Sequence, residues 1–289
     1  MPNTTLPDPI APRANQRIVL LLFAATLLLF LPTWLWLGEA WLSDPYYSHG
    51  PLVLLVSLYL AWNRRKVLAV CDPMPNNVGL LLLVVTLAAH LWAVWWRAYY
   101  LSALTIPLAL LGLLITLYGW SIARQFLFPL AFLILMVPFP LAERLGPLLE
   151  SWAAAAATAL VQFIGVAAQN VGAQVILPNS TFTVGIPCGG LRSAVAIITL
   201  ATLLAYIAQG AVWARVAICL AAIPIALAAN MLRLALLFAI ANTWNAQVAL
   251  NYFHDWSSPV LFLCAFTLLL ALAKLLRCSD IRWEVVLPK

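Results

Sequence analysis

Long apolar runs separated by short polar turns extend through most of this chain. Crossing the hydrocarbon core of a bilayer takes roughly 20 apolar residues, and fewer where helices pack within protein. On that criterion about eight runs predict membrane-spanning helices. The predicted spans are residues 18–38, 51–62, 78–96, 100–120, 126–140, 190–208, 212–229 and 257–277.

Three stretches depart from this pattern. Residues 141–170 mix Ala and Leu with charged and amide side chains, which favours a helix lying at the membrane interface. Residues 171–187 alternate apolar and polar positions and predict a short extended loop, which must lie outside or be shielded, because open strands are not tolerated in lipid. Residues 230–256 are mixed in character. The expected fold class is an all-α polytopic membrane protein with one interfacial helix and one extended outer loop.

Composition agrees with this prediction. The 289 residues are 65% hydrophobic and only 8% charged, whereas a soluble domain carries about 25% charged residues. Such scarce charge cannot cover the surface of a soluble globule of this size. The 15 Lys and Arg against 9 Asp and Glu give a net charge of +6. They lie between apolar runs rather than in a stripe with interleaved aromatics, so we expect no nucleic-acid partner.

The basic residues also predict the orientation. Lys and Arg are retained on the cytoplasmic side, which places 63–66 and both termini there and leaves 39–50, without Lys or Arg, facing outward. We expect a cytoplasmic tail at 1–17, a transmembrane domain at 18–277 and a second cytoplasmic tail at 278–289. The first span lacks a clear cleavage site and is expected to be retained.

Cysteine usage singles out one thiol. The five cysteines form no CxxC pair, and Cys188 is the one in a polar, Gly-rich context, at the junction of the extended loop and a predicted helix. The positive end of a helix dipole lowers a thiol pKa and favours the reactive thiolate. Arg192, one turn later, can act in the same direction. The alternative is a helix start with a buried, inert cysteine.

Asn230 and Arg233 are a second candidate pair, because positions i and i+3 share one helix face. An ionisable residue flanked by apolar sequence is a functional candidate by default. The alternative is an arginine whose head group extends to the membrane edge. The predicted topology places this pair near the outer face, together with the loop before Cys188.

The three histidines differ in their expected roles. His254 falls near the same face and can act as a general base, with Asp255 orienting it. The alternative for His254 is a solvated loop residue. His49, also outward-facing, is a weaker candidate for base or substrate contact, whereas His90 lies in mid-span and predicts a packed polar residue. Zinc-type spacing, a hard-metal cluster and a nucleotide motif are all missing from the sequence, so we expect neither metal nor cofactor.

The order of these motifs resembles the exosortase and archaeosortase family. The resemblance rests on Pro-Cys188-Gly-Gly-Leu-Arg192, then Asn230-x-x-Arg233, then His254-Asp255, and extends to the segments Ser48-His49-Gly50-Pro51 and Pro138-Phe139-Pro140. It covers residues 18–277. It implies a polytopic cysteine transpeptidase or protease of the cytoplasmic (inner) membrane, with its active site facing the periplasm or exterior.

The implied substrates are exported proteins that end in a short motif, a transmembrane helix and a basic tail, the PEP-CTERM type of sorting signal. Cys188 would attack the scissile carbonyl, His254 would carry the proton, Arg233 would stabilise the oxyanion, and Arg192 would lower the thiol pKa or bind substrate. Asn230, Asp255 and His49 would support the site or bind substrate. The lipid bilayer and exopolysaccharide-assembly machinery are the other expected partners.

Two departures from the family pattern point to a divergent subfamily. Gly189 stands where the family often has Ser, and Ser258 where it often has Gly. Two other classes of function remain open from the residues. One is a permease that binds an anionic substrate at Arg192 and Arg233. The other is a non-catalytic scaffold for polysaccharide export.

Overall fold

The computed structural model of the protein describes residues 16–70, 74–185, 190–249, 253–278 and 280–287; within these ranges it does not describe the side chains of Gln16, residues 69–70, residues 141–143, His254 and Asp255. Helices account for most of the described chain. The α-helices are α1 (Gln16–Leu29), α2 (Leu31–Ser43), α3 (Gly50–Asn63), α4 (Arg65–Val70), α5 (Asn77–Trp95), α6 (Tyr99–Tyr118), α7 (Trp120–Ala123), α8 (Leu127–Phe132), α9 (Leu141–Phe163), α10 (Leu191–Ile207), α11 (Val212–Thr243), α12 (Ala246–Val248), α13 (His254–Leu275) and α14 (Trp283–Val286). Short 3₁₀ turns at Arg124–Phe126 and Leu133–Met136 flank α8.

Each predicted span coincides with a helix or a series of helices. Among the residues that the structure describes, four helices can cross a membrane by length and composition, namely α5, α6, α11 and the 256–275 part of α13. The pair α1 and α2, bent by 61° at its break, makes a fifth if it counts as one span. Gly50–Asn63, Trp120–Met136 and Leu191–Ile207 are apolar but shorter. The structure therefore supports a multi-pass helical membrane protein, and the number eight stays a prediction.

The boundaries differ from the prediction in two places. The seventh predicted span ends at 229, but α11 continues as one helix through Pro224 to Thr243. Asn230 and Arg233 lower the local hydropathy, which ends the predicted span. Both are buried in the protein, so the low hydropathy does not mark the end of the helix. The predicted interfacial helix 141–170 is also too long, since α9 ends at Phe163 and a strand begins at Gln169.

The predicted extended loop is a small antiparallel sheet. Its strands β1 (Gln169–Val171), β2 (Gln174–Leu177) and β3 (Ser180–Thr183) follow one another in the order β1-β2-β3. Gly172, with φ of +61°, makes the first turn, and β2 pairs with both neighbours. Pairing within the sheet satisfies backbone groups that a lone extended loop leaves open.

The chain divides into two compact units. The first contains the described residues up to Ala40 and from Gly50 to Val137. In it α5 and α6 approach closely at two glycines, since a Cβ on Gly79 would lie 2.7 Å from the Gly112 carbonyl oxygen. Small residues allow this approach of two helix backbones.

The second unit contains Trp41–His49 and the described residues from Pro138 onward. One core, rich in alanine, joins α10, α11 and α13 around Ile197, Ile218 and Leu269. Another packs α9 and the sheet against the later half of α11, where the rings of Phe182 and Phe238 lie 5.6 Å apart. These two cores position the elements that line the candidate site.

Candidate functional site

A cavity of about 480 Å³ lies within the second unit. Four parts of the chain line it, namely the segment before α3, the first turn of α10, the middle of α11 and the early turns of α13. The polar residues that line it are Tyr46, Ser48, His49, Arg192, Ser193, Asn230, Arg233 and Ser258. The fold thus brings His49, Arg192, Asn230 and Arg233 to one cavity from positions up to 184 residues apart in sequence.

Gly190 forms the cavity wall where α10 begins. It adopts the left-handed conformation with φ of +84° and precedes the helix as its N-cap. Its carbonyl oxygen accepts hydrogen bonds from the Ala194 N–H at 2.9 Å and from the Ser193 hydroxyl at 3.0 Å. A Cβ here would lie 2.7 Å from Cγ of Asn230. Backbone conformation and contact with α11 therefore both require glycine at this position.

Asn230 and Arg233 face the cavity from α11, as their i, i+3 spacing predicts. Asn230 is 5% exposed and Arg233 is 7% exposed. The alternative of an arginine with its head group at the membrane edge does not fit this burial. Burying an arginine among apolar helices is costly, and such residues mark substrate or ion sites in membrane proteins.

Arg192 adds a second guanidinium, but in a different environment. It lies in the first turn of α10 and is exposed, in contrast to Arg233. The positive end of the helix dipole points to the same place. No Asp or Glu occurs among the described residues that line the cavity. The site is therefore suited to hold a negative charge, whether on a bound group or one that develops during a reaction.

The segment that carries His49 is held by a network of hydrogen bonds. A side-chain oxygen of Asp44 accepts a hydrogen bond from the Tyr46 N–H at 2.8 Å. The Tyr47 hydroxyl donates to the Phe139 carbonyl at 3.0 Å and accepts from the Phe139 N–H at 3.1 Å. Burial raises the pKa of Tyr47, and Asp44 adds to this effect, while the bond to Phe139 opposes it.

His49 itself is half-buried, and its ring lies 6.1 Å from the ring of Tyr47. The sequence segments around His49 and around Phe139 are therefore in contact. Their contact fixes the backbone that brings the imidazole to the cavity.

A comparison of the chain with models of known protein families assigns it to a family. The family model described as transmembrane exosortase matches residues 41–271. The chain belongs to the transmembrane exosortase family. The matched region contains every candidate residue of the site, from His49 to Asp255. Searches among curated proteins and among solved structures found no match.

Three candidate residues of this exosortase are not placed by the structure. Cys188 lies outside the described residues, and so do the side chains of His254 and Asp255. His254 is the first residue of α13, and Ser258, one turn later, lines the cavity. The relative geometry of the thiol, Arg233 and His254 therefore stays a prediction.

His90 is a packed polar residue, as predicted. It is buried in the first unit, with Nδ1 2.7 Å from the Ser102 hydroxyl oxygen and Nε2 3.0 Å from the Leu29 carbonyl oxygen. A carbonyl only accepts, so Nε2 carries the hydrogen, and in the neutral ring Nδ1 accepts from Ser102. These contacts give His90 a structural role at the break between α1 and α2.

The sequence did not single out Tyr46 or Ser193, although both line the exosortase cavity. Ser193 adjoins Arg192 in the first turn of α10, and Tyr46 precedes His49 by one short turn. Their closeness in sequence to His49 and Arg192 is the feature by which they could have been identified. In the described part of the chain, no cluster of three His, Cys, Asp or Glu side chains could hold a metal ion.

Proposed function

We propose that this exosortase is a membrane-embedded cysteine transpeptidase or protease. Its substrates are exported proteins with C-terminal sorting signals of the PEP-CTERM type, cleaved at the outer face of the cytoplasmic membrane. The observation that carries the proposal is the cavity that gathers Arg192, Asn230, Arg233 and His49 beside Gly190. Cys188 precedes Gly190 by two residues, and two residues of chain span at most about 7 Å.

The reaction is an acyl transfer through a thioester. The Cys188 thiol gives its proton to His254, and the thiolate attacks the scissile carbonyl. Arg233 donates hydrogen bonds to the oxyanion that forms, a contribution of about 3–4 kcal/mol for one such donor in well-studied hydrolases. Collapse of the intermediate breaks the C–N bond, a general acid of the site gives a proton to the leaving nitrogen, and the C-terminal fragment departs as an amine. Water or an acceptor amine then attacks the thioester.

The surroundings of the cavity favour this chemistry. Arg192 and the N-terminus of α10 both stabilise a thiolate in their vicinity. Arg233 is already buried at the cavity before substrate binds, which lowers the cost of placing its charge there during the reaction. The lack of a side chain at Gly190 leaves room for Asn230 against the start of α10, and both residues line the cavity together with Arg233.

The first test compares cysteine variants on a reporter that carries a secreted domain, a Pro-Glu-Pro motif, an apolar helix and a basic tail. We expect Cys188→Ala to abolish reporter cleavage, measured by the loss of the C-terminal tail on immunoblots. Cys264→Ala is the matched control, because Cys264 is a free, exposed thiol on α13 outside the cavity lining. Cleavage by Cys188→Ala at the rate of the parent protein would contradict the thiol mechanism and favour a permease or scaffold.

The same reporter tests the roles of Arg233 and His254. Arg233→Ala is expected to lower cleavage by about 10²–10³-fold, the effect of losing one oxyanion donor. Arg233→Lys keeps the charge but not the forked geometry and is expected to recover only part of the activity. His254→Ala is expected to lower cleavage by about 10²–10⁴-fold, the range for losing a general base. Full activity in His254→Ala would remove this histidine from the mechanism.

A further inference from the structure

The reaction proposed above needs two proton transfers at two different atoms. The thiol must lose a proton before it attacks, and the leaving nitrogen must gain one as the C–N bond breaks. An amide nitrogen departs poorly as an anion, so general acid catalysis at this atom matters as much as activation of the nucleophile. The described cavity residues limit which side chain can serve the second transfer.

Most of the polar residues in the cavity cannot exchange a proton near neutral pH. Arg192 and Arg233 stay charged, because a guanidinium does not lose its proton in proteins. The hydroxyls of Ser193, Ser258 and Tyr46 have pKa values too high for this task in their ordinary state. Among the described residues that line the cavity, His49 alone has a side chain that gains and loses a proton in this range.

Hydrogen bonds and a ring contact position the segment that carries His49. Its neighbour Tyr47 is 5% exposed and exchanges two hydrogen bonds with the backbone of Phe139. The rings of Tyr47 and His49 lie 6.1 Å apart and are nearly parallel, with 30° between their planes. Asp44 fixes the preceding turn through the Tyr46 N–H. The imidazole therefore reaches the cavity from a hydrogen-bonded segment that is separate from α10 and α13.

We infer that His49 is the general acid that protonates the leaving amine, an assignment that rests on the proposed function. His49 begins as the imidazolium. When the tetrahedral intermediate collapses, the C–N bond breaks, the carbonyl re-forms, and the proton passes from His49 to the departing nitrogen. In the second half-reaction the neutral imidazole takes a proton from the attacking water or amine. The thiolate that leaves recovers its proton from His254, and both histidines return to their starting states.

The test uses two substrates that differ in their need for an acid. The reporter has an amide at the scissile bond, and its leaving amine needs a proton. The other probe, p-nitrophenyl acetate, acylates the thiol and releases a phenolate that departs without one. Both are measured on the full-length protein in detergent, and the rate of Cys188→Ala is subtracted as the background of ester release.

We expect His49→Gln to lower reporter cleavage by about 10²–10⁴-fold and to change the initial, Cys188-dependent burst of p-nitrophenolate, which reports acylation of the thiol alone, by less than about threefold. Retained ester release also shows that the variant is folded around its thiol. His90→Gln is the matched histidine control, because the hydrogen bonds of His90 lie in the first unit. The loss of these hydrogen bonds is expected to lower the rates of reporter cleavage and ester release by the same factor.

Equal losses of reporter cleavage and ester release in His49→Gln would overturn the assignment and leave His49 with a structural role. Unchanged reporter cleavage would overturn it as well. If Cys188→Ala cleaved the reporter as fast as the parent protein, the proposed function would fail, and the leaving-group role with it. That result is read from a different variant, so the two failures are distinguishable.

Discussion

At Gly190 two constraints meet in one residue. The backbone is in the left-handed region, which glycine enters without steric cost, and the missing side chain leaves room for the amide of Asn230. The residue thereby couples the N-terminus of α10 to the polar pair on α11. A small displacement at this point would move Arg192 and Arg233 relative to each other, and misplacements of about 1 Å can cost 10²-fold in rate.

This coupling predicts the effect of adding one methyl group. Gly190→Ala is expected to lower reporter cleavage by at least about tenfold, because the new Cβ displaces Asn230. Gly165→Ala is the matched control, since Gly165 has a similar φ of +90° with nothing within 4 Å of an added Cβ. Both variants carry about 1–2 kcal/mol of left-handed strain. Cleavage rates and melting temperatures in detergent distinguish the two effects, and equal cleavage by both variants would rule out the contact as the cause.

At the scale of elements, the Tyr47 hydroxyl joins two segments that are 92 residues apart. One precedes α3 and carries His49, and the other, around Phe139, leads into α9. Neither residues 44–49 nor Phe139 belong to a described helix or strand, and the two hydrogen bonds of the Tyr47 hydroxyl join them directly. These bonds therefore link the segment that carries His49 to the start of α9.

Tyr47→Phe is expected to lower the free energy of unfolding by about 1–3 kcal/mol. The substitution removes the hydroxyl that bonds to both the carbonyl and the N–H of Phe139, so these two backbone groups lose that partner. Burial raises the folded-state pKa of Tyr47. Its contribution is therefore complete below the unfolded pKa of about 10 and is lost as pH rises through the folded-state value. Melting temperatures of both proteins from neutral to alkaline pH check this prediction. Their difference should shrink at high pH, and a constant difference would contradict it.

At the scale of the whole molecule, charge is arranged along the helices of the second unit. α10 and α13 both begin at the cavity and run toward their other ends, over about 25 Å for the 17 residues of α10 and about 33 Å for the 22 residues of α13. There Ala208 pairs with Ile281, and the Gln209 N–H donates to the Asp280 carbonyl. The basic residues Arg215, Lys274 and Arg277 lie at that end, away from Arg192 and Arg233. The positive-inside rule then predicts that the cavity opens on the outer side.

Thiol labelling tests this orientation. In a cysteine-free background, Ser48→Cys introduces a thiol at an exposed position by the cavity, and Glu284→Cys introduces one at an exposed position of α14. We expect a membrane-impermeant maleimide to label the first in cells with an intact cytoplasmic membrane. The second should react only after the membrane is permeabilised. The opposite pattern would reverse the proposed topology.

The positions of the helices were predictable, since apolar runs must become hydrogen-bonded helices in a membrane. The extension of α11 to Thr243 was not predicted. Asn230 and Arg233 lower the local hydropathy, and the hydropathy pattern does not show that both side chains line a cavity inside the protein. The alternation of apolar and polar residues at 171–187 predicts extended backbone but does not identify the partner strands, so the sheet does not follow from the sequence alone.

The sequence by itself determined that this chain is a helical membrane protein, that it resembles the family to which it belongs, and which residue types are available for chemistry. Only the tertiary structure decided that His49 joins Arg192, Asn230 and Arg233 at one cavity, whereas His90 is buried in the other unit. The physical reason is that periodicity reports only on residues within one or two turns of the same helix, and composition carries no information about which segments meet. The cavity depends instead on contacts between distant segments, such as Gly190 against Asn230 and Tyr47 against Phe139.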